Sequence, residues 1–262
     1  MRAMLLLLLA SHAWARGVNI DPSELGDARG PLAESVEQAR KLAPELFAAV
    51  GSLDPVAIAN QSRSRRPEVI GVVLRRLGSE ARWALLDLAA FHAPPRLEPR
   101  YQNALAVALL DSLSLAAEPK LAPLFRAVWA HEGEMAQQIV AAIGLGKLGE
   151  LEPLLAHVGP SDRRRFAAFQ GLAASHSVRG TKTLAQLLDG ANDSKTVIAL
   201  ADAIGEVASS WSWATGKLGN AATANEVRLI ATGALERARG RVGGSPSNHV
   251  AQALRRVQFG GQ

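Results

Sequence analysis

Apolar residues recur along this chain in blocks that share one internal order. Four blocks align on a central aliphatic position, Leu145, Leu172, Ile204 and Leu235, at spacings of 27, 32 and 31 residues. The residue before each anchor is small: Gly144, Gly171, Ala203 and Ala234. Four positions before it stand Ala141, Ala168, Leu200 and Ala231, and six before it Ile139, Phe166, Ile198 and Leu229. A fifth copy fits at Leu113, 32 residues upstream, with Ser112, Leu109 and Val107 in the same slots. Slots −6, −4 and 0 outline one face of a helix. The small residue at −1 predicts a close helix crossing, where only Gly, Ala or Ser lets the backbones approach. Glycine inside a helix costs about 1 kcal/mol against alanine, so its recurrence points to packing that offsets this cost.

Between the anchored helices the pattern predicts shorter ones: Glu118–Trp129, Leu151–Val158 and Thr181–Leu188. Pro119 and Pro153 each follow a glutamate near the start, where a missing N–H is no loss. The punctuation is brief: Gly149-Glu150, Gly159-Pro160-Ser161-Asp162, Gly180, and Asp189 to Asp193. Each unit is therefore a helix hairpin of about 30 residues, within the range of helical repeats.

The pattern loosens upstream. Pro31–Val50 is amphipathic through Leu32, Val36, Leu42, Leu46 and Phe47, and Pro44 should split it near Ala43. Pro67–Leu77 and Ser79–His92 suggest another hairpin, closed by Pro94-Pro95. Residues 16–30 read as an irregular lead-in. Gly243-Gly244-Ser245-Pro246 reads as a linker before a last helix, Ser247–Val257, and 258–262 as a frayed tail. One domain is expected over 31–257, with its regular repeats at about 101–240 and atypical ends.

The stretch Ala141–Val158, AAIGLGKLGELEPLLAHV, resembles the short HEAT-like repeats found in phycobilisome lyases: an Ala-rich helix, a small–Leu–Gly step, then a Leu-rich helix with a nearby proline. The match is weaker over Ser161–Leu188 and Ser194–Ala208, where Gly171 and Gly205 persist without the Leu-Gly step. The resemblance implies an all-α fold, an α-solenoid of stacked antiparallel helix hairpins with a concave surface. It implies a binding or scaffolding module, and no lyase activity carries over.

Composition agrees with the helical reading: 48% of the 262 residues are hydrophobic and only 5% aromatic, with helix-forming Ala and Leu prominent. Formal net charge is +5, which could favour anionic partners, though arginines in short clusters are commonly solvated helix faces. The absence of cysteine excludes disulfides, thiolate metal sites and a cysteine nucleophile. Met1–Ala15 reads as a signal peptide: Arg2 supplies the positive charge, Met4–Ala10 the apolar run, and Ala13-Trp14-Ala15 the cleavage signal. Export to the periplasm or medium follows. No later run is long enough to span a bilayer, which needs about 20 apolar residues.

Candidate chemistry is sparse, and neither a cofactor nor a metal is expected. His131, Glu132 and Glu134 cluster at a turn, where they read as helix-end caps. His157 reads as a helix-end residue and His176, in Ser175-His176-Ser177, as a turn. Gly144–Gly149 has the spacing of a dinucleotide fingerprint without the strand that motif requires. Arg163, Arg164 and Arg165 open an anchored helix, but their mates Gln137-Gln138 and Thr196-Val197 are uncharged. No basic stripe results, so nucleic acid is not the expected partner. Trp211 and Trp213 lie two apart in a segment poor in aliphatics, either as an aromatic ledge for a partner or as core in place of missing leucines. The best overall reading is an exported, non-catalytic scaffold that binds protein or peptide, with Trp211, Trp213, Arg163, Arg164 and Arg165 as candidate contacts. The alternatives are an exported enzyme or enzyme accessory, and a basic protein on anionic surfaces. N-terminal sequencing of the protein recovered from the cell envelope should begin at Arg16; a chain retaining Met1 would refute the leader.

Overall fold

The computed structural model describes residues 18–54, 57, 74, 77, 79–92, 98–131, 133–209, 212–213 and 221–259. The expected leader, most of the Pro67–Leu77 helix, Trp211 and the last three residues lie outside these. The described elements are helical, with no strand among the described residues. They gather into two compact units, 1–141 and 142–262.

In the first unit a 3-10 helix, Pro22–Ala28, leads into α1 (Arg29–Leu42) and α2 (Pro44–Gly51). The two helices part at Ala43 (φ −142°, ψ 63°), where Pro44 forces the break. Next comes α3 (Arg82–Leu86), which runs on as a π-helical turn, Asp87–Phe91. α4 (Pro99–Leu115) and α5 (Ala122–Ala130) follow. α1 packs on α2 and α3, α3 on α4, and the 3-10 helix on α1 and α5. The core is mainly aliphatic with two large aromatic side chains: Val36, Leu86, Leu105, Leu109, Leu113, Leu124, Phe125 and Trp129 are buried.

The lead-in expected to be irregular is tied down. Widening the helix to i→i+5 bonding, with His92 N–H on Asp87 O at 2.7 Å, changes which carbonyls find partners. Leu88 O and Ala89 O accept from the N–H groups of Val18 and Asn19 at 3.1 and 2.9 Å. Asn19 Nδ2 donates to Ala106 O in α4, and Val18 and Ile20 are buried.

The boundary between units falls inside α6 (Met135–Lys147). The second unit adds α7 (Glu152–Leu155), α8 (Arg165–Ala174), α9 (Val178–Gly190), α10 (Ser194–Val207), α11 (Ala221–Arg241) and α12 (Gly244–Phe259). Ser177 caps α9 by accepting from Gly180 N–H, and Asp193 caps α10 by accepting from Thr196 N–H at 2.9 Å. Gly180 is thus in the first turn of a helix, not a break. Likewise Gly244–Pro246 belongs to α12, and only Val242-Gly243 separates it from α11.

α8 packs on α10 and α10 on α12, while α9 packs on α11. This corrects the alignment at its last copy. α11, with Leu235 as its anchor, sits beside α9, and α12 takes the place beside α10. The anchor that continues the series is Leu254, preceded by Ala253 and with Val250 four positions back, all buried. The slots also divide differently from expectation. Positions 0, −1 and −4 are buried in the aligned helices, but Val107, Ile139, Phe166 and Ile198 at −6 are half-buried and Leu229 is 76% exposed. Six residues carry a side chain about 120° around the helix from the anchor.

Close approach pairs the −1 residue with the residue one past the anchor of the neighbouring helix, Gly171 with Gly146 and Ala253 with Gly205. A Cβ on Gly171 would lie 2.5 Å from Ala142 O and 2.8 Å from Leu154 Cδ1, and one on Gly146 would collide with Gly171 O. At the other end of the unit a Cβ on Gly205 would lie 3.0 Å from Ala253 Cα. Gly149 closes α6 at φ 76°, its N–H on Gly146 O and the Glu150 N–H on Leu145 O. The glycines that mimic a dinucleotide fingerprint are therefore helix packing and a helix stop. Gly171→Ala should lower the urea-unfolding free energy by about 2 kcal/mol through overpacking, against alanine's intrinsic advantage. Gly240→Ala, with open space around it, should leave stability unchanged or raise it by up to about 1 kcal/mol.

Candidate functional site

Three places in the described residues bring chemistry-bearing side chains together. The first is in the first unit. Asp87 is buried in the π turn, and Arg40 Nη2 reaches Oδ2 at 2.7 Å while His92 Nδ1 lies 2.6 Å from Oδ1. A buried carboxylate without partners would be costly, and this pair of contacts satisfies it. The cluster joins α1 to α3. Sequence reasoning passed over Asp87, although a lone aspartate within LLDLAAF was a visible signal.

The second involves Trp213. It is 9% exposed, and its indole Nε1 donates to Val207 O at 2.8 Å. His176 Nδ1 donates to the same carbonyl at 3.1 Å, and the two rings meet edge to face at 5.9 Å. Val207 is the last residue of α10, so its carbonyl lacks a helical acceptor role within the chain. Trp213 and His176 fill that role together. Trp213 is thus largely enclosed as core, with little surface left for a partner; Trp211 lies outside the described residues. His176 holds φ 45°, and desolvation pushes its pKa below the ordinary 6.5.

The third is a cleft of about 460 Å³ in the second unit, where α8 begins, α9 ends and α10 begins. Phe169, Leu187, Leu200 and Val158 give it an apolar floor, and Arg165, Gln186, Asn192, Asp193 and Thr196 a polar rim. Arg165 donates to Pro160 O and stands 4.7 Å from the Phe166 centroid, with Lys195 Nζ at 4.9 Å from the same ring. Hydrogen bonding from Thr196, helped by the charge of Arg165, holds Asp193 below the usual carboxylate range. The turn that walls the cleft is pinned by His157 Nδ1 on Asp162 Oδ2 at 2.6 Å, and Asp162 Oδ1 accepts the Arg164 N–H at 2.7 Å. Burial acts to raise the Asp162 pKa; the bonds from His157 and Arg164 outweigh it and lower it. His157 therefore braces a turn instead of serving a helix end.

Of the predicted contacts, Arg165 lines the cleft, Arg164 opens α8 beside it, and Arg163 is exposed in the preceding turn. Leu187 and Leu200 read as core positions in the sequence, not as site residues, because they come from different helices and converge only when α9 and α10 fold together. Elsewhere the suggestive residues disperse. His131 pairs with Glu24 at 3.3 Å, and Glu134 accepts the Gln137 and Gln138 N–H groups through its backbone. Arg237 grips Asp189 through Nε and Nη2 at 3.1 and 2.7 Å, and Arg241 caps Leu188 O and Asp189 O. No His, Asp and Glu group fit to hold a metal ion occurs among the described residues, and no described helix is long and apolar enough to cross a membrane.

Compared with protein-family models, with curated proteins and with solved structures, the chain matches none.

The His176 shift fixes a sign. Its folded pKa lies below the unfolded value, so its contribution to stability is complete above about pH 6.5 and declines as the pH falls. Between pH 7.5 and 5, thermal melts of the wild type should lose more stability than those of His176→Asn, which tolerates φ > 0. Equal losses would show that His176 is not the group responsible.

Proposed function

We propose that this chain is an exported, non-catalytic α-solenoid of HEAT-like repeats that binds a protein or peptide segment. The carrying observation is the apolar-floored cleft at the ends of α8, α9 and α10, open to solvent and flanked by the arginine run. Its dimensions suit one or two side chains of an extended segment, within the range of about 300–1,000 Å³ common to ligand sites. The alternation of helices in the second unit supports the repeat reading: α8, α10 and α12 in one series, α9 and α11 in the other. So does the recurrence of small residues where helices touch. Successive hairpins stacked in this way bury a core that no single hairpin could bury alone. Trp213 has no part in this binding surface, since its indole belongs to the end of α10.

Export is part of the same proposal. An envelope scaffold without cysteine relies on core packing, and a chain of this length can bury enough apolar surface for that.

Panning a random peptide library against the full chain, with Leu187→Gln as the counter-selection, tests the proposal. Leu187 is half-buried at the floor, so this change should leave folding intact. Enrichment of peptides that bind the wild type and lose about tenfold in affinity on the variant is expected. Failure to enrich any such peptide would overturn the reading.

A further inference from the structure

The cleft has an electrostatic character that runs against helix stability. The N-terminus of a helix carries partial positive charge and favours acidic residues. Yet Arg165 opens α8 with Arg164 at its N-cap and Arg163 just before it, and Lys195 stands in the first turn of α10. Both helix starts border the cleft, since Arg165 and Thr196 line it. Four cations therefore meet two helix starts, with only Asp162 and Asp193 of opposite sign at those starts. Both carboxylates are engaged, Asp162 with His157 and the Arg164 N–H, and Asp193 with the Thr196 N–H and the charge of Arg165, which leaves the cations in excess. Asp189, at the end of α9, is held by Arg237. The two cations nearest the rim, Arg165 and Lys195, lie within 5 Å of one ring centroid, at Phe166. One aromatic ring thus brings together cations from the starts of both helices.

A local rule broken at several residues around one cavity marks a site that serves something other than stability. We propose that the cleft takes an acidic peptide segment carrying apolar side chains. Leucine-like groups would sit on Phe169, Leu187 and Leu200, and flanking carboxylates would meet Arg165, Lys195 and Arg163. A carboxylate there meets cations from both helix starts and forms charge-assisted hydrogen bonds. The apolar floor separates such a segment from a polyanion, which would engage the cations and leave Leu187 untouched. This inference rests on the peptide-binding reading above and adds the sign of the ligand.

The test uses the full chain and fluorescence anisotropy with three labelled peptides: alternating glutamate and leucine, alternating lysine and leucine, and alternating glutamate and serine. The glutamate–leucine peptide should bind at least about tenfold tighter than either control, and its affinity should fall as salt rises. The double variant Arg163→Gln, Lys195→Gln should weaken it about tenfold while its Tm stays level or rises, because cations leave two helix starts. Leu187→Gln should weaken it comparably. Equal affinity for the lysine–leucine peptide would overturn the acidic preference and leave peptide binding standing. Equal affinity for the glutamate–serine peptide, unaffected by Leu187→Gln and matched by phosphatidylglycerol vesicles, would overturn it in favour of a polyanion surface. Binding of none of the three would overturn this inference, while the peptide-library result decides the broader reading.

Discussion

The second unit depends on backbones that touch. At Gly146 and Gly171 two helices approach so closely that a single methyl group would strike a carbonyl of the neighbour. The approach at Gly205 is looser, with an added Cβ 3.0 Å from Ala253 Cα. Close approach lets the flanking aliphatic residues, Leu145, Leu172, Ile204 and Leu254, sink to full or nearly full burial. Each of these brings roughly 2 kcal/mol of apolar burial, which outweighs the cost of a glycine in a helix. Interiors at native packing density have no slack to absorb a methyl there.

Polar contacts complete what apolar packing leaves open, and most of them act at helix ends. Val207 O is reached by Trp213 and His176, Leu188 O by Arg241, and the N–H of Thr196 by Asp193. In the first unit a widened helical turn offers carbonyls that bind the lead-in, while Arg40 and His92 satisfy the aspartate buried in it. These contacts add less stability each than a buried leucine, but an unmatched carbonyl or carboxylate would cost more than its bond returns. Several groups that stand out in the sequence as possible chemistry are committed in this way.

The arginine run before α8 differs, because it sets positive charge at the start of a helix. Arg165 is held by Pro160 O and Phe166, and Arg164 engages Asp162 through its backbone, yet the run as a whole opposes the helix dipole. Solvation lessens that penalty at the surface. What remains is an excess of cations about the two helix starts beside an apolar floor, two features that a mixed-character segment can satisfy together.

The sequence by itself determined most of the helices and some of their ends, while the breaks read at Gly180 and Gly244–Pro246 and the irregular lead-in proved helical. The split at Pro44, the cap at Asp193 and the buried slots at the anchor and one and four residues before it follow from dihedral limits, capping geometry and 3.6-residue periodicity, all local in range. Tertiary structure decided which helix lies beside which. Leu235 and Leu254 satisfy the same spacing rules, and only packing assigns α12 to the place beside α10 and α11 to the place beside α9. It also decided the fate of Trp213, since a tryptophan among serines reads equally as a ledge or as core until Val207 O is placed against its N–H. The cleft was half legible. Arg163 to Arg165 stood out as a run of charge, whereas Phe169, Leu187 and Leu200 come from three helices. Their convergence depends on how those helices are set against one another, which the one-dimensional pattern does not encode.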